Sequence, residues 1–130
     1  MRADAMDEVI IMASMIEKEV VEDQDIVSGI LWKRLDEDWY LGVDAALIYE
    51  LDHTDLSLED LESDSPYNLR NHMGLPPTAI SNPGIISIDA ALNPVESSYW
   101  YYITEPGTNK TIFAETDQEH LQNIEDYLNE

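Results

Sequence analysis

The chain has 130 residues, a mass of 14.8 kDa and a formal net charge of −22, from 6 basic and 28 acidic side chains. This length predicts a single domain, spanning residues 1–130, with one modest core. The charge excludes binding to nucleic-acid backbones through counterion release, and it excludes a polybasic membrane anchor. The absence of cysteine excludes disulfides, thiolate metal sites and cysteine nucleophiles.

An apolar stripe predicts the first helix, from about Ala5 to Val21. Its members recur with the 3.6-residue period of an α-helix: Val9, Met12, Ala13, Ile16 and Val20. The longest apolar run, 9–16, is far shorter than the ~20 residues that span a bilayer. We therefore expect that the chain is soluble and that none of its residues contacts a membrane.

Three more helices are predicted before residue 65. The second begins at an N-cap, Asp23 or Asp25, and runs to about Leu35. Gly29 lies inside it at a cost of about 1 kcal/mol relative to alanine, which indicates that another helix packs closely against it. The third covers 44–51, and Ser57 opens a short fourth helix as the first residue of a capping box.

The second half begins with a long loop and ends in a hairpin and a helix. Residues 65–84 hold most of the prolines, and a loop this long in a small domain tends to be functional. Asn82 and Pro83 predict the start of a helix that ends at Asn93. Strands at 99–104 and 111–114 flank a turn, and Thr116 caps a C-terminal helix. The predicted fold class is α+β, mostly helical with a small β-hairpin.

Two glutamates near the end of the first helix are candidates for acid–base chemistry. Glu19 lies on one shoulder of the apolar stripe and Glu17 on the other. A carboxyl group beside apolar neighbours is partly desolvated, which raises its pKa and allows it to act as a general acid. The alternative is that both are ordinary surface acids, and spacing alone does not choose between them.

The long loop supplies candidate ligand-binding side chains. Tyr67 offers a flat ring and a hydroxyl suited to a sugar, and Asn68 and Asn82 offer paired donors and acceptors. The alternative is a rigid connector in which the asparagines cap turns. The three histidines, at 53, 72 and 120, are too far apart in sequence to indicate a metal site. We expect neither a metal nor a cofactor.

An ordered set of motifs resembles the YceG-like family of endolytic murein transglycosylases. Residues 11–19 look like its Ala-Ser-Ile-x-Glu-Lys-Glu helix. The most specific pieces are Ser-Pro-Tyr-Asn at 65–68 and Gly-Leu-Pro-Pro at 74–77, followed by Asn-Pro-Gly at 82–84. The resemblance covers nearly the whole chain, and further matches occur in family order at Arg34, Asp44, 90–94, 99–103 and 113–120.

The resemblance implies a lysozyme-like catalytic helix and a lytic transglycosylase. Glu19 maps onto the family's catalytic acid, which cleaves the MurNAc–GlcNAc bond of peptidoglycan and leaves 1,6-anhydro-MurNAc ends without using water. Glu17 would help to tune the proton affinity of Glu19. The resemblance further implies action outside the bacterial inner membrane, with cell-wall synthesis proteins as partners. The implied substrate-binding residues are Glu17, Arg34, Asp44, Tyr67, Asn68 and Asn82.

Departures from the family pattern keep a second interpretation open. Polar groups of the family's groove are replaced here, at Gly42, Ala45, Ala46 and Thr111, and an asparagine is replaced by Lys33. The alternative is therefore a catalytically impaired glycan-binding or scaffold module on the same fold. The membrane helix and LysM-like segment usual in the family are not recognised in this sequence.

Overall fold

A computed structural model describes residues 6–52 and 55–128 of the chain. It confirms the predicted α+β class, with helices followed by one two-stranded antiparallel sheet. Within the described ranges no helix is both long and apolar enough to cross a membrane. The elements are α1 Met6–Glu19, α2 Gln24–Asp36, α3 Asp44–Leu51, α4 Leu58–Leu61, α5 Ile85–Leu92, β1 Tyr101–Thr104, β2 Thr111–Ala114 and α6 Asp117–Tyr127.

Helix α1 forms the centre of the core and confirms the predicted stripe. It packs against α5, α2 and α3. Its predicted first residue, Ala5, lies outside the described residues, and the helix ends at Glu19, two residues earlier than predicted. The burial of one face removes apolar surface from water and fixes which way the remaining side chains point. The stripe residues are all buried: Val9, Met12, Ala13, Ile16 and Val20.

Gly29 of α2 lies directly against a neighbouring backbone segment. A Cβ at this position would lie 1.9 Å from the carbonyl oxygen of Val95. The same segment is fixed by a 3.0 Å hydrogen bond from the Val95 amide to the carbonyl of Asp25. Close packing at this glycine is therefore confirmed, but its neighbour is the segment that follows α5 and not the predicted helix.

Helix α5 begins later than predicted. Asn82 and Pro83 precede the helix, and Gly84 occupies the N-cap position. The reason is a tether to α1: the Ser81 hydroxyl donates to the carbonyl of Ser14 at 3.0 Å. This tether holds the Asn82–Pro83 pair as part of the loop that runs along α1.

The hairpin and α6 form a small layer at one side of the helices. Tyr102 of β1 pairs with Phe113 of β2, and the regular pairing starts at Tyr101 rather than at residue 99 as predicted. The ring of Tyr101 stacks on His120 of α6, with centroids 4.8 Å apart. Since side chains alternate along a strand, Tyr101 and Tyr102 point to opposite faces of β1.

The predicted helix caps have different outcomes. Ser57 and Asp60 form the full capping box of α4, and the Thr116 hydroxyl accepts a hydrogen bond from the Glu119 amide at the start of α6. Asp23 does precede α2, but its φ of 57° is left-handed and its side chain makes no cap hydrogen bond.

Candidate active site

Glu19, the last residue of α1, faces the hairpin. The hydroxyl of Tyr102 on β1 donates a 2.8 Å hydrogen bond to Oε1 of Glu19. The glutamate side chain is partly buried. The contact joins two residues that are 83 positions apart in sequence, so it forms only when these distant parts of the chain pack together.

Arg34, at the C-terminal end of α2, places a partly buried cation near this pair. Its Nε and Nη2 both donate to the carbonyl of Trp100, at 3.0 and 2.7 Å, and Nη1 donates to the carbonyl of Leu41 at 2.8 Å. The guanidinium lies 5.7 Å from the ring centroid of Tyr102. Backbone carbonyls therefore hold the guanidinium in place, while its charge acts on Glu19.

Asp44 begins α3 and adds a negative charge to the same region. Arg70 binds both of its carboxylate oxygens, each at 2.8 Å. A bidentate pair of this kind fixes both side chains in one geometry. The structure thus brings together three of the residues named from the sequence, Glu19, Arg34 and Asp44, as an electrostatic cluster.

The surroundings of Glu19 favour its protonated form. Burial raises the pKa of Glu19 above its ordinary value of 4.5. The hydrogen bond from Tyr102 lowers that pKa, the negative charge of Asp44 raises it, and the positive charge of Arg34 lowers it. Burial outweighs the opposing contributions, so this carboxyl group keeps its proton to a higher pH than an exposed glutamate.

The two carboxylate oxygens of Glu19 differ. Among the described residues only Tyr102 hydrogen bonds to this side chain, and it does so at Oε1. The one fully buried side-chain polar atom without a partner in the same part of the chain is Oγ of Ser28. Oε2 of Glu19 makes no hydrogen bond to the described residues, and it is not among their fully buried unpartnered side-chain atoms.

Glu17 points to a different part of the molecule. Its Oε1 accepts a 2.7 Å hydrogen bond from the amide of Gly84, the N-cap residue of α5. A carboxylate at a helix N-terminus also interacts favourably with the helix dipole. The groups that shift the pKa of Glu19 are Tyr102, Asp44 and Arg34, whereas Glu17 anchors the loop that leads into α5.

Truncation of Glu17 tests this anchoring role. We expect Glu17→Ala to lower the free energy of unfolding by about 1 kcal/mol, because the hydrogen bond to Gly84 is lost. The variant should leave the pH dependence of any activity at Glu19 unchanged. Chemical denaturation measures the first effect, with Lys18→Ala as a control on the exposed face of α1. Equal stabilities of the two variants would contradict the anchoring role.

The loop residues named from the sequence make no hydrogen bond to Glu19 among the contacts that the structure describes. The Tyr67 hydroxyl is 2.8 Å from Oγ1 of Thr78, and the Tyr67 ring tilts against Tyr49. Asn68 is buried, and its amide donates to the carbonyls of Leu61 and Ser63. Asn82 is exposed. Asn68 thus organises the loop, and a substrate-binding role for the three residues stays a prediction.

Tyr102 is the site residue that sequence reasoning did not identify. Its strand was predicted, but four aromatic residues in a row at 99–102 give no reason to select one of them. Three of the four make ring contacts elsewhere: Tyr99 stacks on Phe113, Trp100 on Trp39 and Tyr101 on His120. Only alternation along the strand, combined with the position of α1, would have indicated Tyr102.

A cavity of about 550 Å³ lies elsewhere, between α2 and the segment after α5. Glu19 does not line it, and Lys33 closes one side by donating to the carbonyl of Ser97 at 2.9 Å. No group of histidine and acidic side chains that could hold a metal ion occurs in residues 6–52 and 55–128. His53 lies outside those ranges.

Comparison with known proteins gives consistent matches. The model of the YceG-like family matches residues 2–126. The endolytic murein transglycosylase of Bacillus subtilis is 36% identical over 121 residues, which cover 90% of this chain and 33% of that protein. The Streptococcus pneumoniae (strain D39) protein of the same name is 26% identical over 133 residues, which cover 95% of this chain and 24% of that protein.

A solved structure extends the match to three dimensions. The crystal structure of a yceG-like protein from Listeria monocytogenes superimposes with a TM-score of 0.84 at 37% sequence identity, covering 89% of this chain and 39% of that one. The chain spans a third or less of the length of the curated relatives. The family model covers nearly the whole sequence, and the chain belongs to the YceG-like family.

Proposed function

We propose that the chain is the catalytic domain of an endolytic murein transglycosylase and that Glu19 is its acid–base residue. The relatives' names supply the reaction class. The observation that carries the proposal is the environment of Glu19: a partly buried carboxyl group with a raised pKa, with one oxygen held by Tyr102 and the other without a hydrogen bond to the described residues. A general acid that works near neutral pH needs such surroundings.

In the first step Glu19 acts as an acid. Its proton passes to the oxygen that bridges MurNAc and GlcNAc, and the bond from that oxygen to C1 of MurNAc breaks. The released GlcNAc carries a new 4-hydroxyl, and positive charge develops at C1. The carboxylate that remains at Glu19 is stabilised by the hydrogen bond from Tyr102 and by the nearby guanidinium of Arg34.

In the second step Glu19 acts as a base. The C6 hydroxyl of the same MurNAc attacks C1, and its proton passes to Glu19. The product is a 1,6-anhydro-MurNAc end, and the enzyme returns to its protonated starting form. One carboxyl group serves both steps, in contrast to glycosidases that use a pair. Neither of the two steps requires a cofactor.

The other predicted residues have supporting roles in the proposal. Arg34 and Asp44 set the charge around the acid, and Tyr67 and Asn82 on the long loop contact the glycan. The substrate is the peptidoglycan strand, and by family membership the site of action is the outer face of the bacterial inner membrane, beside the proteins that synthesise the wall.

Mass spectrometry of peptidoglycan digested with the purified chain tests the proposal. We expect muropeptides that end in 1,6-anhydro-MurNAc, released from internal positions of the strand. Ordinary reducing ends would show hydrolysis and would overturn the proposed second step. If nothing is released while the protein still sediments with isolated sacculi, the replaced groove residues, such as Gly42 and Thr111, favour the impaired binding module instead.

The pH dependence of cleavage follows from the raised pKa. Glu19 must be protonated in the free enzyme, so kcat/KM should stay high above pH 4.5, the ordinary pKa, and decline as pH rises through the raised value. Since the charge of Asp44 raises that pKa, Asp44→Asn should move the decline to lower pH. Initial rates on soluble glycan strands measure both. An unmoved profile would contradict the contribution of Asp44.

A further inference from the structure

The hydroxyl of Tyr102 hydrogen bonds to only one of the two oxygens of the Glu19 carboxyl group. The 2.8 Å hydrogen bond from its hydroxyl engages Oε1 alone, and Oε2 has no hydrogen-bond partner among the described residues and is not one of their fully buried atoms. A reaction that uses one carboxyl group first as an acid and then as a base benefits from a carboxyl group that is held in one geometry. An unrestrained glutamate at a helix end samples several rotamers and offers either oxygen.

The hydroxyl is itself constrained to act as a donor. Burial and the negative charge of Glu19 raise the pKa of Tyr102 well above its ordinary value, so it stays protonated throughout the working range. The neighbouring strand residue, Tyr101, points to the other face and stacks on His120. The donor role therefore belongs to one tyrosine of the aromatic run.

The backbone around Tyr102 is fixed from a second direction. Arg34 donates twice to the carbonyl of Trp100, two residues before Tyr102, and its guanidinium lies against the Tyr102 ring at 5.7 Å. The β1–β2 pairing holds the other side through Phe113. The strand and the guanidinium together keep the Tyr102 hydroxyl in place. The hydrogen bond to Glu19 is therefore preorganised, as a positioned general acid requires.

We infer that Tyr102 is a positioning residue that holds Oε1 of Glu19 and thereby makes Oε2 the oxygen through which protons are transferred. This inference rests on the proposed function. It adds a residue that acts through Glu19 rather than on the glycan. The charged and titratable groups acting on Glu19 are Tyr102 from β1, Arg34 from α2 and Asp44 from α3, the last bound by Arg70.

Substitution of the tyrosine hydroxyl alone tests the inference. Tyr102→Phe keeps the ring and removes the donor, and Tyr101→Phe is the matched control on the opposite face of the same strand. The hydrogen bond lowers the pKa of Glu19, so its removal should raise that pKa, as measured by the ¹³C shift of the carboxyl carbon against pH. We expect kcat to fall roughly 10-fold with little change in KM. Thermal melting verifies that both variants are folded.

Each outcome of this experiment supports or contradicts one part of the inference. An unchanged Glu19 titration in Tyr102→Phe, or an equal shift in Tyr101→Phe, would overturn the inference. A raised pKa with unchanged kcat would overturn the positioning role, since the donor would then affect proton affinity alone. If the wild-type chain cleaves no glycan, the proposed function fails, and the titration still decides whether Tyr102 holds the carboxyl group.

Discussion

Glu19→Gln is expected to abolish glycan cleavage while the fold becomes more stable. Glutamine has the same shape and still accepts the hydrogen bond from Tyr102, but it carries no transferable proton. Loss of a general acid–base group lowers rates by about 10²–10⁴-fold, and here the same group acts in both steps. Release of anhydro ends from purified strands measures the effect, and glycan binding should persist.

The gain in stability follows from the sign of the pKa shift. Below pH 4.5 Glu19 is protonated in both the folded and the unfolded chain and costs nothing. As pH rises from 4.5 through the raised folded value, the unfolded chain ionises first, so folding loses stability. Glutamine removes this cost. We expect Glu19→Gln to unfold at higher denaturant at pH 7, by roughly 0.5–2 kcal/mol, with no advantage at pH 4.

A matched control separates burial from charge. Glu22 lies just after α1, is exposed and has the same charge. Glu22→Gln also relieves some of the net charge of −22, but it involves no desolvated carboxyl group. It should leave cleavage and its pH dependence unchanged. If both variants gain equal stability at pH 7, general charge repulsion accounts for the effect and the proposed cost of the Glu19 environment is wrong.

Gly29→Ala is expected to be strongly destabilising, against the usual helix preference. In an exposed helix interior the change to alanine would gain about 1 kcal/mol. Here the added Cβ would lie 1.9 Å from the Val95 carbonyl oxygen, which is backbone and is fixed by the Val95–Asp25 hydrogen bond. Either α2 or the 94–97 segment must move. We expect a loss of about 2–3 kcal/mol, which lowers Tm by roughly 10 °C.

Ser28→Ala on the same helix is the control for Gly29. Ser28 is fully buried, and its Oγ has no hydrogen-bond partner among the described residues, so removing it costs no contact. Alanine there should be neutral or mildly stabilising. Calorimetry of the two variants compares them directly. A Gly29→Ala protein as stable as the wild type would show that the backbones separate easily and would contradict the close packing.

Local patterns were sufficient to predict most of the fold. The period of α1 and the Ser57 capping box depend on residues close in sequence, and the structure confirms both. The close approach predicted at Gly29 is also present, although the segment against it is not the predicted helix. The predicted start of α5 was wrong because a tertiary contact determines where this helix begins. The carbonyl of Ser14 in α1 accepts a hydrogen bond from the Ser81 hydroxyl, and this contact holds the Asn82–Pro83 pair outside the helix.

The site was less accessible to sequence reasoning, since its defining contacts are long-range. Glu17 and Glu19 have equivalent positions beside the α1 stripe, and spacing could not rank them. What separates them is the partner that each meets: the Gly84 amide for one and the Tyr102 hydroxyl for the other. Neither partner lies within 60 residues of its glutamate, so no window along the chain contains the information.

Because Glu19 and Tyr102 are far apart along the chain, the contact between them can form only late in synthesis. A ribosome releases α1 and α2 well before the hairpin, because chains emerge from the N-terminus. Until β1 is made, Glu19 lacks its donor, and Arg34 lacks the Trp100 carbonyl that holds it. The surroundings of Glu19 are therefore complete only after the last quarter of the domain has folded, and chains that end before β1 lack the hydrogen bond from Tyr102.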